Sequence, residues 1–132
     1  MRNDVAKFIE TLNRKAFIAF AYLFGSRVKN HYSNRSDWDI AIYFSDSPKN
    51  FDILISFELE AELSRALYSN VQVIVLNKRL PSPVFGFQIV SEGIVLIERD
   101  ENLRLEFENR VLRQYYDWQY FLKRQIEAEK GT

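Results

Sequence analysis

Gly25 and Ser26 close an apolar run, and after ten intervening residues comes the triplet Asp37-Trp38-Asp39. Along a strand, successive side chains alternate between faces, so Asp37 and Asp39 share one side while Trp38, Ile40 and Ile42 take the other. Two carboxylates held together repel each other, and a cation that prefers hard oxygen ligands, Mg2+ above all, relieves the repulsion. Gly25 lets the backbone turn tightly and approach a ligand. Ser26 opens a helix whose unpaired N–H groups, with its own hydroxyl, favour an anion such as phosphate. A phosphate cradle facing a carboxylate pair suits phosphoryl or nucleotidyl transfer from a Mg2+–NTP substrate. Either half alone is commonplace, a helix cap or a solvated strand edge. Together, where secondary structure switches, they point to a nucleotide site.

The flanking sequence predicts the elements that must position these residues. Val5, Phe8, Ile9 and Leu12 recur at helical spacing. Phe17 to Phe24 is a continuous apolar run, as in a strand buried on both faces, and Gly25 ends it. Lys29 to Ser36 is a loop by composition, and Asp37 to Phe44 alternates as a second strand that Asp46-Ser47-Pro48 ends. Phe51, Leu54, Phe57, Ala61 and Leu67 mark the inner face of a second helix, with Glu58, Glu60, Glu62 and Arg65 outward. Val71 to Leu76 is a β-branched third strand, and a connection through Pro81 and Pro83 leads into a short helix that ends at Gly93. Ile94 to Ile97 forms a fourth strand, and Glu101 to about Glu129 a long terminal helix. The expectation is one domain over residues 1–132, an α/β (α+β) fold in which a small sheet of about four strands is flanked by helices.

Composition narrows the chemistry further. The 132 residues include no cysteine, which excludes disulfides, cysteine-bound metals and thiol nucleophiles. Eighteen basic and eighteen acidic residues cancel, so no general electrostatic grip on nucleic acid is expected. The N-terminus does not read as a signal peptide, and no apolar run approaches a membrane span of about 20 residues. A soluble cytoplasmic protein is expected.

Leu23-Phe24-Gly25-Ser26-Arg27, followed at this spacing by Asp37-Trp38-Asp39, resembles the signature of the polymerase-beta-like nucleotidyltransferases, specifically the minimal (MNT) members. Val71 to Asn77, Ser91 to Leu96 and Arg104 to Asp117 resemble later blocks of that family, so the likeness spans nearly the whole chain. The resemblance implies a small mixed sheet with flanking helices, an NTP with two Mg2+, and pairing with a HEPN-domain RNase toxin. In such pairs the MNT antitoxin can add AMP from ATP to a tyrosine of the toxin. By the same resemblance, Gly25, Ser26 and Arg27 hold the nucleotide, and Asp37 and Asp39 are the catalytic metal ligands. One position departs from the pattern. The family's third carboxylate sits on the third strand in a Val-Asp-Val-like context, and here the segment reads Val71-Gln72-Val73. Loss of general-base help typically costs about 10²–10⁴-fold in rate. Asp46, Glu58 and Glu62 are weak substitutes by position.

His31, Lys29 and Arg35 lie in the loop between cradle and carboxylates, and a solvated role accounts for each of them. On the terminal helix, Leu103, Phe107, Val111, Tyr115, Trp118, Leu122 and Ile126 form one stripe expected to be buried. Leu112, Tyr116, Tyr120 and Phe121 fall outside it. An apolar surface on more than one side of a helix marks a protein interface, so a dimer or heteromer is expected there. Two functions compete: an antitoxin that transfers AMP to a protein hydroxyl, and a degenerate MNT-fold module that silences its partner by occlusion. Transfer to a small molecule such as an antibiotic is a third option, which predicts a second substrate-binding domain that 132 residues are too few to supply.

Overall fold

The structure is a computed structural model that describes residues 2–25, 27–28, 37–45 and 51–131. Its elements run α1 (Arg2–Asn13), β1 (Ile18–Phe24), β2 (Trp38–Phe44), α2 (Phe51–Leu67), β3 (Val71–Val75), α3 (Pro83–Glu92), β4 (Ile94–Glu98) and α4 (Glu101–Lys130). The strands form one mixed sheet in the order β3-β2-β1-β4. β1 pairs antiparallel with β2 and with β4, while β2 and β3 run parallel. A parallel pair needs a crossover, and α2 supplies it. Every residue of β1 is buried, as its unbroken apolar run predicts for a central strand covered on both faces. No helix among the described residues is long and apolar enough to cross a membrane.

The two faces of the sheet have separate cores. On one, Trp38, Ile40, Ile42 and Phe44 of β2 pack with Val71 and Val73 against Phe8 and Leu12 of α1 and Leu59, Leu63 and Leu67 of α2. Phe8 meets the Trp38 ring edge-on at 5.4 Å. On the other, Tyr22, Phe24 and Ala41 lie under Ile89 of α3 and Phe107 and Val111 of α4.

Side chains complete the sheet where strands run out. β3 is an edge strand, and α2 covers its exposed donors: Ser64 Oγ accepts from Val71 N–H at 3.1 Å and Glu60 Oε1 from Val73 N–H at 2.9 Å. At the end of β2, the Asn77 amide accepts from Phe44 N–H at 2.7 Å and donates to Phe44 C=O at 2.9 Å, standing in for a strand partner. Arg99 donates to the carbonyls of Asn13, Lys15 and Ile18 at 2.6–2.9 Å, which ties the end of α1 to β1.

Two helix faces differ from the sequence expectation. In α2 the inward residues are Leu59, Leu63 and Leu67, with Ile55 and Ala66 packed beside them, whereas Leu54 and Phe57 are 66% and 63% exposed. Ala61 is also exposed. Both stripes of this helix are apolar, so period alone does not choose between them; the fit against β3 and α1 does. In α4, Asp100 caps the N-terminus by accepting from Leu103 N–H, and Phe107 and Val111 are buried. From Gln119 onward every described residue is exposed, Leu122 and Ile126 of the expected buried stripe included. Thirty residues make a helix about 45 Å long, and its second half outruns the sheet.

Candidate functional site

β1 and β2 bring the motif together because they are antiparallel neighbours. Phe24, the last residue of β1, is registered opposite Asp39, so the chain turns at Gly25 directly beside that carboxylate. Gly25 has φ +90°, a left-handed conformation that favours glycine. A Cβ added there would overlap Asp39 Oδ2 and stand 3.2 Å from Asp39 Cβ. Glycine is therefore required twice, by the backbone angle and by the closeness of the carboxylate. Val28 N–H donates to Gly25 C=O at 3.1 Å, which closes the turn.

Asp37 precedes β2 and is exposed, whereas Asp39 is half-buried. Alternation puts the two on one face, with about 6–7 Å between their Cα atoms. Burial, and then the charge of Asp37, pushes the Asp39 carboxyl above the usual aspartate range. A divalent cation would reverse both effects by replacing lost hydration and offsetting the like charge. The donor set is hard oxygen on rigid backbone, which fits Mg2+. Among the described residues no three His, Cys, Asp or Glu side chains group as metal ligands, so the set stops at this carboxylate pair.

Gln72 lies in register with Asp39 across the parallel β2/β3 pair, on the same face, and is exposed. Across the strands the row thus reads Gln72, Asp39, Phe24. One step earlier, Trp38 N–H donates to Asn70 C=O at 3.0 Å, which locks the entry of the two strands. The position beside Asp39 carries a neutral amide. Glu58 and Glu62 do not substitute for an acid there. They belong to α2, which covers the opposite face, and Glu62 is ion-paired with Lys15 at 2.9 Å.

Arg27 has an aromatic neighbour. Its guanidinium lies 4.5 Å from the centroid of the Trp38 ring, and Trp38 points away from the carboxylates. Ser26, Lys29, His31, Arg35 and Asp46 lie outside the described residues. One further constellation had no sequence signature. The Tyr22 hydroxyl donates to Glu108 Oε2, which also accepts from Arg104 at 2.9 Å, and Arg104 in turn pairs with Glu98. Burial and the neighbouring Glu108 hold the Tyr22 hydroxyl well above the ordinary phenol range. The network joins β1 and β4 to α4, elements far apart in the chain, so only a contact map brings it into view.

Residues 6–102 match the family described as polymerase beta, nucleotidyltransferase. No curated protein gives a significant match. Among solved structures, a toxin–antitoxin complex with AMP-PNP contains a chain 26% identical to this one, with a TM-score of 0.73, covering 96% of this chain and 98% of that one. A chain of the MntA–HepT toxin–antitoxin is 24% identical with a TM-score of 0.69, covering 98% and 99%. From Shewanella oneidensis, the complex of a tri-AMPylated HEPN toxin with an MNT antitoxin contains a chain at 24% identity and TM-score 0.68, covering 98% of each. At that identity the last two speak for the fold alone.

Proposed function

The chain belongs to the polymerase beta nucleotidyltransferase family, and from that premise we propose that it is an antitoxin that transfers AMP from ATP to a hydroxyl of a HEPN RNase toxin, a tyrosine by chemistry. The observation that carries this reading is the contact between the Gly25 turn and the Asp39 carboxylate, because it sets a phosphate-accommodating backbone against a metal-binding pair. The related toxin–antitoxin complex with AMP-PNP, 26% identical, supports it.

In this reading Asp37 and Asp39 hold Mg2+, which when bound offsets charge on the phosphates and the leaving pyrophosphate. The bare turn at Gly25 lets the backbone approach the phosphates, and Ser26 adds a hydroxyl donor. The acceptor oxygen attacks the α-phosphorus, the α–β anhydride bond breaks, and the hydroxyl proton leaves to a carboxylate of the pair or to water. Gln72 takes no part in that proton transfer, since an amide oxygen is far less basic than a carboxylate.

The toxin would dock on the exposed half of α4. Tyr120, Phe121, Leu122 and Ile126 are 41–63% exposed and lie within about two turns of the helix. A second reading, neutralisation by occlusion with little transfer, is favoured by the neutral Gln72 beside Asp39. The two separate with labelled ATP, Mg2+ and the co-expressed toxin. Transfer predicts label on the toxin, and Asp39→Asn removes both label and neutralisation. Neutralisation that survives the Asp37→Asn/Asp39→Asn double variant sinks the transfer reading and leaves occlusion.

A further inference from the structure

A groove of about 740 Å3 opens on the same sheet face as Asp39, but at the other end of β2. Tyr43 forms part of its floor, four residues and about 13 Å along the strand from Asp39. Tyr43 and Leu80 are partly exposed and give it an apolar patch over the buried Leu76, Phe107 and Val111, and Lys78, Arg79 and Arg110 stand around it. None of the three cations forms an ion pair with a described residue. Arg110 rests 5.9 Å from the Phe107 ring centroid, which leaves its guanidinium at the groove.

The rim is stiff. Pro81 and Pro83 fix the backbone on either side of Ser82, which caps α3 by accepting from Phe85 N–H at 3.1 Å. The positive end of the α3 dipole therefore opens at the same lip. Asn77, also at the rim, has its amide engaged with Phe44. Among the described residues Asp117 is the only carboxylate of the lining, so these residues offer no pair for a divalent ion and a net surplus of two positive charges.

An apolar patch for a ring, three cations without an ion pair among the described residues to meet phosphate oxygens, and a volume in the range of small-ligand pockets describe one ligand chemistry. We propose that this groove is a second nucleoside-phosphate site, independent of metal. Its existence stands on the groove alone; its purpose rests on the nucleotidyl-transfer reading. An adenylate already joined to the acceptor has lost its pyrophosphate and no longer needs a metal, and the groove suits such a product while the carboxylate pair handles the next triphosphate.

The test is calorimetric titration of the full chain in EDTA with AMP and, separately, with the 5′-phosphorylated adenylate dinucleotide. Binding is expected for both in the wild type and in Asp37→Asn/Asp39→Asn. In Arg79→Ala/Arg110→Ala, whose side chains are exposed, affinity should fall at least about tenfold with an unchanged circular dichroism spectrum. A dinucleotide that binds tighter than AMP identifies the joined product as the ligand, and equal affinities identify free mononucleotide. Unchanged binding in Arg79→Ala/Arg110→Ala overturns the site, as does loss of binding in the aspartate double variant. If the arginine variant weakens only toxin binding, the groove belongs to an acidic protein segment and the proposal falls. Stabilisation by Mg2+–ATP, read on the same samples, reports on the carboxylate site separately.

Discussion

Strand β2 shows two chemistries on its two sides. Trp38, Ile40, Ile42 and Phe44 are 0–3% exposed and packed by α1 and α2, with no charged group among them. On the other side Asp37 and Asp39 stand beside Gln72 at the strand entry, and only further along, at Ala41 and Tyr43, does that face become core. One side is optimised for burial. The other accepts a carboxylate whose burial and like-charged neighbour disfavour its ionised form, which costs stability and is what the proposed nucleotide and metal site would require.

Substitutions should separate the two sides. Asp39→Asn is expected to reduce AMP transfer by at least about 10²-fold while leaving the apo protein at least as stable at neutral pH, measured by label transfer and urea unfolding. The sign follows from the raised carboxyl. The native state holds its proton more tightly than the unfolded chain, so ionisation of Asp39 lowers stability as pH rises through the aspartate range. The stability advantage of Asp39→Asn should therefore shrink as pH is lowered below that range. Ile40→Ala, one residue away on the other side, should cost roughly 3 kcal/mol by cavity formation, with residual transfer scaling with the folded fraction. If Ile40→Ala abolished transfer in fully folded protein, or Asp39→Asn unfolded it, the division of labour would be broken.

Smaller effects sharpen the comparison. Tyr22→Phe removes a donor from Glu108, which keeps Arg104, so a loss of about 1 kcal/mol is expected. Tyr68 sits just after α2 with φ 51° and is 92% exposed, so Tyr68→Gly should gain about 0.5–1 kcal/mol by removing left-handed strain at the turn that delivers β3. Thermal unfolding in the absence of nucleotide measures both.

Much of this arrangement was readable from residue order. The alternation around Asp37-Trp38-Asp39 put Trp38, Ile40 and Ile42 on one face, which is core, while Gln72 was picked out by resemblance alone and only the parallel register sets it beside Asp39. Gly93 ended α3 as expected, its N–H bonded to Ile89 C=O at 2.9 Å. Other features were hidden for physical reasons. α2 is apolar on two stripes, so Leu54 and Phe57 mimicked a core face that Leu59 and Leu63 occupy. Helical period continues through Leu122 and Ile126, but period carries no information on where the supporting sheet stops. The direction of Arg27 depends on a ring supplied by a different strand, and the groove gathers Arg79 and Arg110 from separate elements. Neither leaves a local pattern.

The claim beneath all of this is that the Gly25 turn and the two aspartates form one nucleotide-binding unit. Thermal unfolding with saturating ATP and Mg2+ tests it most directly, since a ligand at 100 times its Kd adds about 2.7 kcal/mol of stability. A clear rise in Tm is predicted for the wild type and none for Asp37→Asn/Asp39→Asn. An unmoved wild-type Tm, or an equal rise in the double variant, would contradict it.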